Sequence, residues 1–286
     1  MPEHAFILDR PAKLTSSVVF ASPHSGRDYP SWFLERSILN ARSIRSSEDA
    51  FVDALFAAAP TYGAPLLRSG APRAFVDYNR SAEELDPALI AGVAWVGNNP
   101  RVSSGLGVIP RVVSNGRAIY RGKLTRAEAD ARISGYWRPY HATLQGLLNE
   151  AVQHFGEAIL VDCHSMPHEA IDSVRMPGGR RPEIVLGDRF GASAHGEIVD
   201  AIEAAFQEAG FVVSRNAPFA GAYVTQHYGR PSRRQHAIQV EIDRALYMDE
   251  KRIVPSADFD GFKAALDGVI AKIATIGTCD QRVAAE

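Results

Sequence analysis

A chain of 286 residues with 46% apolar and 22% charged content has the make-up of a folded, enzyme-sized domain, which excludes a disordered or fibrous protein. Its formal charge of −2 supplies no general attraction for nucleic acid or an anionic membrane, so neither is expected as a partner, and the pairs Arg180-Arg181 and Arg233-Arg234 read as solvated surface. The two cysteines, Cys163 and Cys279, lie far apart and suggest neither a disulfide framework nor a cysteine-rich metal site; a reducing compartment fits.

In chain order, Met1 to Lys13 carries Glu3, His4, Asp9 and Arg10 and lacks the apolar run of a signal peptide. No stretch approaches the roughly 20 apolar residues that span a bilayer, so a soluble, cytoplasmic protein is expected. A first strand over Ser17–Ala21 runs into Ser22-Pro23-His24. A helix is expected to begin near Ser46 and to bury Phe51, Val52, Leu55 and Phe56, with Ser46 and Asp49 at capping-box spacing. Strands follow at Ala64–Leu67 and Arg73–Asp77, the second leading into Asn79-Arg80.

After a long polar stretch, Asn79–Arg101, Thr125 and Glu128 open a long helix that carries Ile133, Trp137, Tyr140, Leu144 and Leu148 on one face. A strand over Ala158–Asp162 ends in Cys163-His164, and the loop Met166–Arg181 carries Arg175. Strands at Glu183–Leu186, Phe211–Ser214 and Ala237–Glu241 alternate with helices that bury Ile198, Ile202 and Phe206, then Phe262, Leu266 and Ile273. Asn216–Gln235 is a third long loop, and loops of such length inside one domain are usually functional. The alternation predicts one α/β domain over residues 1–286, with a central mixed, mostly parallel sheet flanked by helices and a frayed tail from about residue 275. Nothing in it fixes an oligomeric state.

Three apolar strands therefore end in ionisable residues: His24, His164 and Glu241. Ligands of open α/β sheets gather at the carboxyl ends of strands, and catalytic zinc takes three ligands from His and Asp/Glu while leaving a position for water. His24 and His164 supply two. Asp49, with Glu48 beside it, is the candidate third, set against its simpler role of capping the helix it precedes. Either histidine alone would more often be a strand-end residue bonded to backbone. Glu241, between Val240 and Ile242, would be costly to bury without a partner, which favours a general base over an edge residue; Asp243 is the fallback. Arg80 offers a planar fork for a carboxylate, against a surface pairing with Glu83 or Glu84. A thiol hydrolase built on Cys163 is a weaker alternative, since Cys163 reads as a small buried hydrophobe.

These motifs together resemble the N-formylglutamate amidohydrolase family from about Val18 to Glu250. The matching segments include Ser22-Pro23-His24-Ser25-Gly26, Glu48-Asp49-Ala50-Phe51-Val52-Asp53, Asp77-Tyr78-Asn79-Arg80, Asp162-Cys163-His164-Ser165-Met166-Pro167 and Leu186-Gly187-Asp188-Arg189. The resemblance implies a fold related to the zinc carboxypeptidases (phosphorylase/hydrolase-like) and the aspartoacylases. It also implies one zinc ion on His24 and His164, a Glu241 base, and Asn79 and Arg80 orienting a small acidic substrate. Where carboxypeptidases place a carboxylate three residues after the first histidine, this chain has Arg27, so Asp28, Glu48 and Asp49 compete, and the family pattern favours Asp49. The implied reaction is hydrolysis of N-formyl-L-glutamate to formate and glutamate, a step of histidine breakdown, with Arg175 as candidate for the second carboxylate. The alternatives are a deacylase or carboxypeptidase acting on another N-acyl acidic amino acid or peptide, and a non-catalytic carboxylate-binding relative.

Overall fold

The computed structural model describes residues 1–94, 97 and 99–276; most of the expected tail, with Cys279, lies outside the described residues. The described residues form nine strands: β1 (Phe6–Asp9), β2 (Val18–Ser22), β3 (Leu66–Ser69), β4 (Ala158–Met166), β5 (Ile184–Gly187), β6 (Val213–Arg215), β7 (Gln235–Asp243), β8 (Met248–Asp249) and β9 (Val254–Pro255). The first seven form one mixed sheet in the order β1-β3-β2-β4-β7-β5-β6. β3, β2, β4 and β7 are mutually parallel, whereas β1 pairs antiparallel with β3, β5 pairs antiparallel with β7, and β6 runs parallel to β5.

Helices α1 (Ser31–Arg36), α2 (Val52–Leu55), α3 (Pro100–Ser103), α4 (Arg126–Arg132), α5 (Arg138–Phe155), α6 (Gly196–Glu208), α7 (Tyr223–Tyr228) and α8 (Phe259–Ala274) complete the chain. The two-residue period of the strands sorts the core into two layers. Val18, Phe20, Ile159, Val161, Cys163, Ile238 and Val240 pack with α2, α6 and α8 on one face. Val19, Ala21, Leu160 and Ala237 pack with α5 and α7 on the other. Side chains such as Phe206, Leu144 and Leu266, fully removed from water, contribute roughly 1.5–3 kcal/mol each.

Following that period past Leu160 and Ala237 puts Asp162 and His164 of β4, and Gln239 and Glu241 of β7, on the α5–α7 face. They stand in register, Asp162 opposite Gln239 and His164 opposite Glu241. One period therefore both builds the core and delivers four polar groups to a single sheet edge.

Two expected elements differ. Arg73–Asp77 is a turn rather than a strand: Phe75 and Val76 both donate to the Pro72 carbonyl, and Arg73 reaches forward to Asp77. Phe75 and Val76 are apolar because they sit in the core beside the sheet, not within it. The helix expected from Ser46 is a 3₁₀ turn over Ser43–Ser47, followed by extended backbone at Glu48, a left-handed Phe51 at φ 68°, and only then α2. Neither Ser46 nor Asp49 caps that helix. Asp49 has other partners.

The capping box of Thr125 and Glu128 forms as expected, but the helix it opens is not uniform. Between α4 and α5 lies a π-turn, Ile133–Trp137, in which Arg138 donates to the carbonyl of Ile133, five residues back. Pro139 follows and has no N–H to offer the regular ladder. Beyond the turn, Trp137 Nε1 donates to the Arg80 carbonyl (2.9 Å) and His141 Nε2 to that of Tyr78 (2.9 Å), while His141 Nδ1 accepts from the Tyr228 hydroxyl (2.8 Å). Gly156 closes α5 in the left-handed conformation.

Candidate active site

A cavity of about 430 Å³ opens at the carboxyl ends of β2, β4 and β7, where the topology of a parallel sheet favours a ligand site. His24 stands two residues past β2. The chain there is pressed against residues 70–71: a Cβ on Gly26 would lie 2.2 Å from the Ala71 carbonyl oxygen, so only glycine fits. The Asp49 N–H donates to the His24 carbonyl (3.0 Å), which brings the segment before α2 to the same point.

His24, Asp49 and His164 are 1%, 1% and 3% exposed. Asp49 Oδ2 is 3.0 Å from His164 Nδ1 and 3.3 Å from His24 Nδ1. The opposite ring nitrogens are backed by carboxylates: His24 Nε2 lies 2.7 Å from Asp77 Oδ1, and His164 Nε2 lies 3.0 Å from Asp162 Oδ2. Arginines hold two of these carboxylates, Arg73 through Asp77 Oδ2 (3.0 Å) and Arg244 through Asp49 Oδ1 (2.9 Å). Arg244 also donates to the Ser165 hydroxyl (3.1 Å).

This arrangement fits a metal ion. The three candidate donor atoms lie within 4.8 Å of one another, and the 3.0–3.3 Å separations match the edge of a tetrahedron with bonds of roughly 2.0–2.1 Å. His24 Nδ1 is buried and, although Asp49 Oδ2 lies 3.3 Å away, makes no well-directed hydrogen bond among the described residues, an arrangement that is costly unless something else occupies the nitrogen. Carboxylates behind both imidazoles are the usual support for histidine ligands. Asp49, Asp77, Asp162 and Glu241 crowd the cluster with negative charge, and only two of them pair directly with an arginine. The electrostatics respond accordingly. Burial opposes a charged His164, yet Asp162, Asp49 and Glu241 overcome it and hold the imidazole well above its usual range. Burial likewise opposes ionised Asp49, but His164 and His24 hold its carboxyl well below the usual value.

Glu241 lines the same cavity. Burial, reinforced by the Asp49 charge and opposed by His164, Arg73 and Arg244, pushes its carboxyl up to about 7, a value suited to proton transfer near neutrality. One oxygen accepts from Gln239 Nε2 (2.8 Å), and Gln239 in turn accepts from the Ala222 N–H (3.1 Å). The loop before α7 is thus tied to β7 beside Glu241. Asn79 forms a second tie, its Oδ1 accepting from Val224 N–H (2.8 Å) and its Nδ2 lying 3.2 Å from His164 Nε2.

Of the three carboxylates that compete to join the histidines, only Asp49 does. Glu48 is held by Arg45 and Tyr29, and Asp28 accepts from the Glu3 N–H at the surface. Arg80 lines the cavity, 7% exposed. Arg175 does not: it is exposed and donates to the carbonyls of Asp172 and Val174, because its loop folds on itself away from the sheet edge. Asp243 is occupied by His168 (2.7 Å) and the Ala245 N–H (3.0 Å). Cys163 faces the opposite core layer, where burial drives its thiol well above the usual range, so it does not offer a nucleophile. Sequence reasoning assigned no role to Asp77, Asp162, Gln239, Arg73 or Arg244. Strand period could have found Asp162 and Gln239, each two residues before a site residue; nothing local marks Arg244.

The sequence profile described as N-formylglutamate amidohydrolase matches residues 16–248. A crystal structure of N-formylglutamate amidohydrolase from Ralstonia eutropha JMP134 superposes with a TM-score of 0.87 at 35% identity, covering 94% of this chain and 96% of that one. Two proteins described as N-formylglutamate deformylase are also similar. The one from Pseudomonas aeruginosa is 29% identical over 242 residues, covering 82% of this chain and 83% of its own length. The one from Pseudomonas putida is 27% identical over 240 residues, covering 82% of each. With the profile spanning every strand of the main sheet except the edge strand β1, the chain belongs to the N-formylglutamate amidohydrolase family.

Proposed function

We propose that this protein hydrolyses N-formyl-L-glutamate to formate and L-glutamate, with zinc held by His24, Asp49 and His164 and with Glu241 as general base. The observation that carries this reading is the meeting, in one cavity, of the three-residue cluster, the buried carboxyl of Glu241 and the buried Arg80. Membership of the family and the names of its relatives support the choice of substrate.

Zinc bound there would lower the pKa of water to roughly 7 and polarise the formyl oxygen. Glu241 accepts the proton of the attacking water and returns it to the glutamate nitrogen as the C–N bond breaks, so the base ends the cycle as it began. Asp77 and Asp162 fix the orientation of the two imidazoles. Arg80, which lines the cavity, binds a substrate carboxylate. The buried walls limit water and strengthen these charged contacts.

Formate release from N-formyl-L-glutamate, measured alongside elemental analysis, tests the proposal. It should track about one zinc per chain, stop on chelation and return with added zinc. Chelator-insensitive formate release would remove the metal from the reading. Zinc-dependent release of a different acyl group from an acidic amino acid, without formate release, would change the substrate and keep the metal.

A further inference from the structure

Four arginines line the cavity, and they divide into two pairs. Arg73 and Arg244 are bonded to Asp77 and Asp49, and so belong to the cluster itself. Arg80 and Arg101 line the same cavity, and neither has a carboxylate partner among the described residues.

Arg80 is held rigidly. Its Nε donates to the Leu106 carbonyl (2.9 Å) and its Nη1 to the Asn79 carbonyl (2.7 Å), while its own carbonyl is fixed by Trp137. Nη2 makes no hydrogen bond to the described residues. Arg101 sits in the first turn of α3, where the Asn99 side chain accepts from the N–H groups of Arg101 (3.0 Å) and Val102 (3.3 Å). Leu106, which clamps Arg80, donates its own N–H to the Arg101 carbonyl (2.8 Å). One loop therefore places both cations, and Arg101 is exposed, with no carboxylate paired to it among the described residues. Burial first, then the charges of Arg73 and Arg101, lower the pKa of Arg80, against the pull of Asp77. Like charges on one cavity wall, one of them buried, are unfavourable until anions meet them.

We propose that Arg101 is the specificity-determining residue that receives the γ-carboxylate of N-formylglutamate, with Arg80 receiving the α-carboxylate; this rests on the function proposed above. The α-carboxylate hangs on the carbon that bears the scissile nitrogen, so it must lie beside the metal cluster. Asn79, the neighbour of Arg80, already touches His164 there. The γ-carboxylate is two methylenes farther out, toward the rim where Arg101 is exposed. Two unpaired cations match the two charges of the substrate. Arg175, outside the cavity, is not needed for this.

The test compares the efficiencies of N-formyl-L-glutamate and N-formyl-L-glutamine on the wild type, Arg101→Gln and Arg80→Gln. The wild type should prefer the diacid by about ten- to a hundred-fold. Arg101→Gln should reduce that preference to a few-fold, whereas Arg80→Gln should lose efficiency on both substrates and keep the preference. A second measurement needs no turnover: binding of glutarate against butyrate to the zinc-loaded protein, by calorimetry, should show the same preference and its loss in Arg101→Gln. An undiminished preference in Arg101→Gln by both measures overturns the assignment and leaves the deformylase reading intact. If no N-formyl amino acid is hydrolysed but the glutarate preference depends on Arg101, the deformylase reading fails and Arg101 stands.

Discussion

On the strand side of the cavity, Asp162, His164, Gln239 and Glu241 come from two parallel strands in register, and their side chains bond to one another along each strand: Asp162 to His164, and Gln239 to Glu241. On the loop side, Arg80 and Arg101 come from the segment between β3 and α4, and no carboxylate among the described residues pairs with them. A strand wall fixes side chains to a repeat that the ladder enforces, which suits a centre needing a few tenths of an ångström of precision. A loop wall can present cations to a ligand rather than to itself. The strand side has an excess of negative charge and calls for a small cation; the loop side has the reverse and calls for an anion.

The largest effect should come from breaking the strand side. His24→Ala and His164→Ala together should empty the metal site and abolish formate release, with zinc per chain read by elemental analysis; a double variant that keeps stoichiometric zinc would falsify the ligand set. Next, Glu241→Gln should retain zinc and fold while turnover falls on the order of a hundred- to ten-thousand-fold. Near-normal turnover in that variant would place the base elsewhere on this wall.

Arg244→Met tests whether the strand side depends on its own arginine. Losing the bond to Asp49 Oδ1 should weaken zinc affinity by roughly ten- to a hundred-fold, the usual cost of removing a partner behind a ligand. Competition with a chromophoric chelator measures this, and unchanged affinity would mean that the histidines and the bond from the Asp49 N–H to the His24 carbonyl orient Asp49 without it.

The smallest effect concerns the support of the loop side, where His141 bonds the Tyr78 carbonyl. Burial lowers its pKa to about 3, so the folded protein keeps this imidazole neutral while the unfolded chain takes up a proton below about pH 6.5. Stability should therefore fall as pH drops from about 6.5 toward 3, by at most roughly 1.4 kcal/mol per pH unit from this residue, and be independent of it above that window. His141→Gln should flatten the acid side of a plot of Tm against pH. A residual slope is expected from His236, which burial lowers to about 4. An identical slope in the variant would show that His141 is not held neutral.

What could be read from the sequence divides along the same line. Strand-borne His164 and Glu241 were legible because period two and an apolar run predict both the strand and the face. Asp49 was legible as a candidate through family pattern, but not its geometry, since a left-handed Phe51 and a late start to α2 leave no periodic trace. Strand β1 went unread because four residues of an edge strand, none of them fully buried, lack the apolar signal of the central ones. Arg101 and Arg244 could not be found locally: one depends on where a long loop returns, the other on a contact 195 positions away from Asp49. Arg175 had the right chemistry in a loop that folds elsewhere.

The π-turn at Ile133–Trp137 has a consequence for which changes of chain length the protein tolerates. An α-helix rotates by roughly 100° per residue, so the extra residue of the π-turn sets the two ends of this long helix in different rotational phases. The phase before the turn is fixed by the Thr125–Glu128 cap, and the phase after it aims Trp137 and His141 at residues 78–80. Deleting one residue within the turn would allow uninterrupted winding only by rotating one end against its anchor. Length here acts as an angular setting, and a single deletion more than 40 residues from Arg80 in sequence would reach the cavity that Arg80 lines by swinging the indole and imidazole bonded to residues 78–80.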